Sequence, residues 1–341
     1  MPCHQFVCGL KVWFLAVAVV WHCSALPDEM AQPFNRPDMN PLTLGYVTVD
    51  PAAGIGIKQG QWRWQMGLNI ANTVQLENSV DGRESILLDA ETKRLHLGIE
   101  YGLLDDWTLF VDLPYIRHSA GQLDGAVDEF HRLFGFPEGP RGKRPRDLLA
   151  IEYRVDGQPL IDLNQSTSGV GDIGLSVIHK VDVGFIDDLR LGAKLKFPSG
   201  DYNKLTGSGT RDAALWLAGS NPLAMDISHF FSVGAAVVEK DAGLLTDMRR
   251  SEYGFLSYGI AWRYNQFLTL KAQLDSRSAI YQQTNMAPLK TSTTVSFGGT
   301  LTIFRDYQLD IAVVEDIHVG TAPDVVFHIN LFSAALFQTT R

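Results

Sequence analysis

Cysteine is scarce in this chain. The 341 residues contain three, Cys3, Cys8 and Cys23, all at the very start. Everything after Cys23 therefore folds without disulfides, which excludes the small stapled scaffolds common among exported proteins. Long apolar runs are equally absent. Beyond residue 25 nothing approaches the roughly 20 apolar residues that a membrane-spanning helix needs. Positive charge is the minority sign, with 29 Lys and Arg against 38 Asp and Glu and a net charge of −9. That balance argues against a nucleic-acid partner. No phosphate loop, zinc-ligand spacing or calcium loop occurs, so no cofactor and no metal is expected.

The opening segment has the grammar of an export signal. Lys11 precedes a short apolar run over 12–20, and Cys23-Ser24-Ala25 offers small residues for cleavage. Residues 1–25 are thus expected to be a signal peptide for Sec export. A lipid anchor on Cys23 is the competing reading, disfavoured by the bulk of Trp21 and His22. An exported chain without a spanning helix is either soluble or crosses a membrane as strands.

The pattern that is present decides between these. Leu95, Leu97, Ile99, Tyr101 and Leu103 alternate with His96, Gly98, Glu100 and Gly102. A tight turn at Asp105-Asp106 follows, and Trp107, Leu109, Val111, Leu113 and Tyr115 alternate with Thr108, Phe110, Asp112 and Pro114. Period two with one greasy face and one polar face marks strands between two environments. A polar inner face suits a barrel with lipid outside and a wet lumen. The same design repeats over about twelve segments: 62–75, 89–103, 107–118, 170–181, 188–198, 211–220, 226–238, 253–264, 267–276, 290–304, 307–316 and 324–337. Connections alternate too, short after even-numbered segments and longer after odd-numbered ones, with a very long loop over 119–169. Short periplasmic turns and long extracellular loops are the outer-membrane barrel pattern. The expected fold is an all-β, antiparallel transmembrane barrel of about 12 strands, spanning 61–341. Residues 26–60, with Pro27, Pro33, Pro37, Pro41 and Pro51, form an irregular segment, either a loose leader or a stretch lying under or partly inside the barrel.

Strand parity assigns faces. Leu191 and Leu195 point outward beside inward Arg190, Lys194 and Lys196; Ile260 and Trp262 point outward beside inward Ser257, Gly259 and Arg263. Phe230 and Phe231 leave one segment ambiguous, since adjacent residues cannot both face lipid. The candidate lumen-lining charges are His96, Glu100, Asp112, Asp172, Lys180, Arg190, Lys194, Lys196, Arg263, Lys271, Asp275 and Asp310. Such groups must pair or stay hydrated. They either brace a closed lumen or line a pore whose basic cluster at Arg190, Lys194 and Lys196 favours anions.

In the long loop, Leu123, Val127, Phe130 and Phe134 recur at helical spacing. This short amphipathic helix fits a constriction in the mouth, a position at the outer rim, or simple packing on other loops. Arg141, Lys143, Arg144 and Arg146 follow it and are candidates for contact with lipopolysaccharide phosphates, a solvated loop being the plainer reading. A hydrolase would need a nucleophile beside a base. His179 and His229 are outward histidines, yet neither has an assignable serine partner, so no enzyme is expected.

The residues Lys196-Phe197-Pro198-Ser199-Gly200-Asp201, Thr206-Gly207-Ser208-Gly209, Asp212, Gly169-Val170-Gly171-Asp172 and the helical stretch ending Phe134-Gly135-Phe136-Pro137 together resemble an uncharacterised Gram-negative outer-membrane family, classed as a domain of unknown function (DUF3187). The resemblance spans most of the chain. A looser likeness joins it to barrels linked to aromatic-compound catabolism. It implies the barrel and supplies no catalytic residues. One departure is the end of the chain, where Phe337 is followed by four further residues instead of closing the sequence. The functional expectation is a passive channel for a small solute. A closed structural or lipopolysaccharide-contacting barrel is the alternative, and a membrane hydrolase the third. Expected partners are outer-membrane lipid and lipopolysaccharide, a small-molecule solute, and the barrel-assembly machinery.

Overall fold

A computed structural model of the chain describes residues 32–135, 144–304 and 306–336. The expected signal peptide and Phe337 lie outside the described residues. The elements in order are β1 (Trp62–Asn78), β2 (Glu84–Leu104), β3 (Trp107–Ser119), α1 (Asp124–Phe134), β4 (Ala150–Val155), β5 (Gln158–Leu163), β6 (Thr167–Val170), β7 (Ile173–Val181), β8 (Leu189–Phe197), β9 (Asp212–Ala224), β10 (Ile227–Val238), β11 (Glu252–Asn265), β12 (Leu268–Arg277), β13 (Ser292–Phe304), β14 (Tyr307–Asp316) and β15 (Val325–Ser333).

Twelve of these close a ring. β1, β2 and β3 are followed by β7 through β15, each antiparallel to the next, and β15 returns to β1 with Leu68 opposite Ile329. Closure leaves the barrel no free edge. One end carries the short turns, such as Asp105-Asp106 and Gln266-Phe267; the other carries the long loops. At this short-turn end Trp62 packs on Tyr101, Trp107 stacks on His179, and Trp262 meets Tyr264 edge-on. Aromatics at the boundary of an apolar band form an interfacial girdle.

Three short strands add to the expected ring. β6 continues β7 along β3 across a break at Gly171-Asp172, opposite Pro114, which has no N–H to offer the ladder. β4 and β5 form a hairpin inside the long loop, and β4 pairs with the upper reach of β2, Ser85 opposite Arg154 and Leu88 opposite Ile151. The buried side chains Ile151, Tyr153, Ile161 and Leu163 of this hairpin cluster with Ile86, Leu88, Leu244 and Tyr281 at the long-loop end. That apolar cap covers the mouth. α1 is seated elsewhere, on the outer face of the wall. Its Asp124 accepts a 2.8 Å hydrogen bond from Asn72, whose position on β1 has outward parity.

The wall's inner row is small where larger neighbours must fit. A Cβ on Gly192 would land inside the Trp216 indole, and one on Gly259 inside the Phe230 ring. Phe230 is thus the inward member of the Phe230-Phe231 pair, 2% exposed, occupying the space that Gly259 leaves.

Candidate functional site

The lumen is occupied by the protein itself. Residues 32–61 contain no helix or strand, yet Phe34, Met39, Leu42, Val47 and Ala53 are all buried. The segment enters at the short-turn end and climbs beside β12 with a constant sequence offset. Gln32 O accepts from Lys271 Nζ at 3.0 Å, Phe34 N donates to Gln273 Oε1 at 2.7 Å, and Arg36 Nη2 binds Asp275 Oδ2 at 2.7 Å. Asp38 then pairs with Arg277, and Leu42 O accepts from Tyr281 Oη at 2.7 Å, every partner lying 239 residues away. Alternate residues of β12 face inward, and they grip alternate residues of the climbing limb.

The tip, residues 40–46, is held at the long-loop end, where Asn40 donates to Pro288 O and Tyr46 Oη to Leu244 O. Burial pushes the Tyr46 and Tyr281 phenols up, so both stay neutral donors. The segment then descends along the opposite wall. Val47 N meets Asp212 Oδ2 at 3.0 Å, Asp50 Oδ2 meets Lys194 Nζ at 2.7 Å, and Ala53 O accepts from Arg190 at 2.8 Å. Gly54 N donates to Glu100, Ile55 O accepts from Arg63, and Gly60 pairs with Gly102 just before β1 begins.

Twelve residues were expected to line the lumen, and the wall distributes them unevenly. Glu100 is bound by Arg63, Asp112 by Arg94, Lys271 by Asp310, and Asp275 by Arg36. Lys194 reaches Asp50, and Arg190 lies 3.1 Å from Asp188. Lys196 bridges Asp172 at 2.6 Å and Asp212 at 3.2 Å, under the turn where Ser208 N also binds Asp172. The basic cluster is therefore neutralised by carboxylates within ion-pair distance, and it offers no open anion path. His96 is buried with neither ring nitrogen hydrogen-bonded among the described residues. Arg263 is exposed at the short-turn mouth. Lys180 is exposed at the same end, beside Asp106 and Arg190 around a hollow of about 340 Å³. A cleft of about 400 Å³ opens at the other end among Leu160, Tyr202, Leu205, Leu245 and Met248. Between them a cavity of about 110 Å³ separates the lumen segment from β10–β14, lined by Arg36, Val49, Ser257, Asp275 and Val314.

Asp172 and Asp310, partners of Lys196 and Lys271, were among the expected lumen residues; Arg63, Arg94, Arg36 and Asp50 were not. Arg94 shares the inward parity of His96, and Arg63 sits between outward Trp62 and Trp64, so both were readable. Arg36, Asp38 and Asp50 were hidden in a proline-rich stretch; their one local signal is the period-two run Phe34, Arg36, Asp38.

Two of the four loop cations, Arg144 and Arg146, are engaged at home. Arg144 binds buried Asp89 at 2.8 Å and Arg146 binds Asp128 at 2.8 Å. Arg141 and Lys143 lie outside the described residues. His179 lies against Trp107 and His229 against Tyr258, in the aromatic surroundings of the outer wall.

No curated protein matches the chain. Among solved structures, an outer-membrane channel from Pseudomonas putida F1 is 18% identical and superposes with a TM-score of 0.56 over 85% of this chain and 100% of that one. The NanC porin follows at 11% identity and a TM-score of 0.43, over 81% and 100% of the two chains. The toluene transporter TbuX of Ralstonia pickettii has 13% identity and a TM-score of 0.40, over 89% and 100%. The first of these shares the fold of this chain. The family described as "Protein of unknown function (DUF3187)" matches residues 10–333, and the chain belongs to it.

Proposed function

We propose that this protein is an outer-membrane channel for a small solute, exported through the Sec route, whose conduit is closed at rest by its own residues 32–61. The observation that carries the reading is what fills the bore. A barrel of about eight strands can fill its lumen with wall side chains alone, and twelve strands enclose a wider bore. Here the inward row is rich in small residues, including Ser176, Ala218, Ser232, Ala261, Ser296 and Ala312, and a separate stretch of chain occupies the space they leave. A filler joined to the wall through its own covalent end, with hollows at both mouths, is an arrangement that can move and uncover a path. Much of its grip is hydrogen bonding and ion pairing, which water can replace as the segment shifts.

The test is planar-bilayer recording of the folded protein. Wild type should be closed for most of the record, with rare openings. Replacing Asp50 and Asp38 together by Asn loosens both limbs and should raise the open fraction several-fold. A folded variant that stays at background, with wild type also silent, removes the channel reading. The closed-barrel alternative is favoured by one specific feature, the apolar cap of β4, β5 and Leu244 over the mouth. Silent wild type and silent variants would select it. Location is tested separately: the protein should fractionate with the outer membrane and shift mobility on heating in detergent gels.

A further inference from the structure

The outward face of the twelve-stranded wall is almost free of cationic side chains. Among the described outward positions of the barrel strands, Lys93 on β2 and Arg117 on β3 are the only lysine or arginine. They are not scattered. Lys93 is the direct cross-strand partner of Arg117, and Arg117 of Ser168 on β6, so the three stand in one row. Like charges placed directly opposite on a strand pair repel, and nothing in the fold of β2 and β3 requires the juxtaposition.

The position of the row along the barrel gives it meaning. One step towards the short-turn end lies an apolar row, with Leu95 paired to Tyr115 and both about half exposed. The Tyr115 hydroxyl rises from it to donate to Ser168 Oγ at 3.0 Å. One step towards the long-loop end, Glu91 and Ser119 are buried, and Gln122 N in the chain leading to α1 donates to Glu91. The cations thus stand at the boundary between the lipid-facing belt and the loop that covers the wall above it. Glu91 takes part of the charge of Lys93, at 2.7 Å, yet the lysine side chain remains 43% exposed. Arg117 is exposed and has no ion-pair partner among the described residues.

We propose that Lys93, Arg117 and Ser168 form a binding site for a phosphate of lipid A, the membrane anchor of lipopolysaccharide. The inference rests on the reading that the long-loop end faces outward. A guanidinium and an ammonium one strand apart suit a phosphate dianion, and Ser168 adds a neutral donor. The apolar row beneath would hold acyl chains of the same molecule. Charge complementarity, the height of the row and its continuity with the apolar belt favour a phosphorylated lipid over a soluble anion. This places the contact on the wall, whereas the loop cations Arg144 and Arg146 are spent on Asp89 and Asp128.

Native mass spectrometry of the folded, heat-modifiable protein with diphosphoryl lipid A tests it. Wild type should retain lipid A, and enzymatically dephosphorylated lipid A should be retained at least tenfold less. Lys93→Gln with Arg117→Gln should lose at least tenfold in retention, while Lys93→Arg with Arg117→Lys keeps it. Equal retention by the Gln variant overturns the site. So does equal retention of phosphatidylglycerol or dephosphorylated lipid A by wild type, an arm that needs no variant to fold. A protein that is recovered in the outer membrane and fails these arms sinks this inference alone. One recovered as a soluble protein sinks the location reading first.

Discussion

Lys194 on β8 places its ammonium 2.7 Å from the Asp50 carboxylate, and the two residues stand 144 positions apart in the chain. The side chains are 3% and 7% exposed, so neither charge can turn to water when the other is removed. Removing one partner of a buried pair typically costs about 3–5 kcal/mol, and replacing both by apolar groups much less. Asp50→Asn and Lys194→Met should each destabilise the folded protein on that scale in urea titrations. The double replacement Asp50→Leu, Lys194→Met should recover most of the loss. A double variant as damaged as the worse single one would mean that the pair is not what the singles disrupt.

The wall should answer substitution by depth. Ile260 pairs with Ala272 near the middle of β11 and β12 and is 43% exposed. Leu191 is the third residue of β8, close to the short-turn end, and is 50% exposed. An arginine on the lipid face costs about 2–4 kcal/mol at the midplane and about 0–1 kcal/mol near the interface. Ile260→Arg should therefore impair folding into lipid vesicles strongly, and Leu191→Arg weakly. Folding yields that rank the other way would contradict this placement of the barrel in the bilayer.

Phe230 and Gly259 should behave as one unit. Gly259→Val drives a branched side chain into the Phe230 ring, and overpacking a fitted site costs about 1–3 kcal/mol. Combining it with Phe230→Leu, which vacates part of that volume, should cost less than the sum of the two singles. Strict additivity in thermal unfolding would show that the two positions do not share space.

Acid should loosen the tip of the lumen segment. Burial pulls the Asp38 carboxyl up, but Arg277, the Asn40 amide and the Thr43 hydroxyl outweigh it and hold it below the usual 3.8. A carboxylate with a depressed folded value contributes stability that is complete above its unfolded value and lost as pH falls through the folded one. Protection of residues 38–46 from hydrogen exchange should therefore fall below about pH 4, and less steeply in Asp38→Asn. Protection that rises on acidification would reverse the sign and exclude this contact as the latch.

The sequence by itself determined the wall. Period-two alternation is a property of each strand alone, and alternating turn lengths are a property of neighbours in the chain, so twelve strands and the faces of Leu95, Ile260 and Lys194 could be read locally. The β4–β5 hairpin was also written there, in Ile151 and Tyr153, but six-residue strands inside a loop carry too few repeats to stand out. What the tertiary structure alone decided is what the bore contains. Little in residues 32–61 announces burial beyond the short run Phe34, Arg36, Asp38, because their fit depends on Lys271, Gln273, Asp275 and Arg277 arriving 239 positions later, in phase. Parity can say that Lys194 points inward. Only closure of the ring sets Asp50 against it, and with that contact the inward charges become a lattice gripping a strand of chain instead of the lining of an open pore.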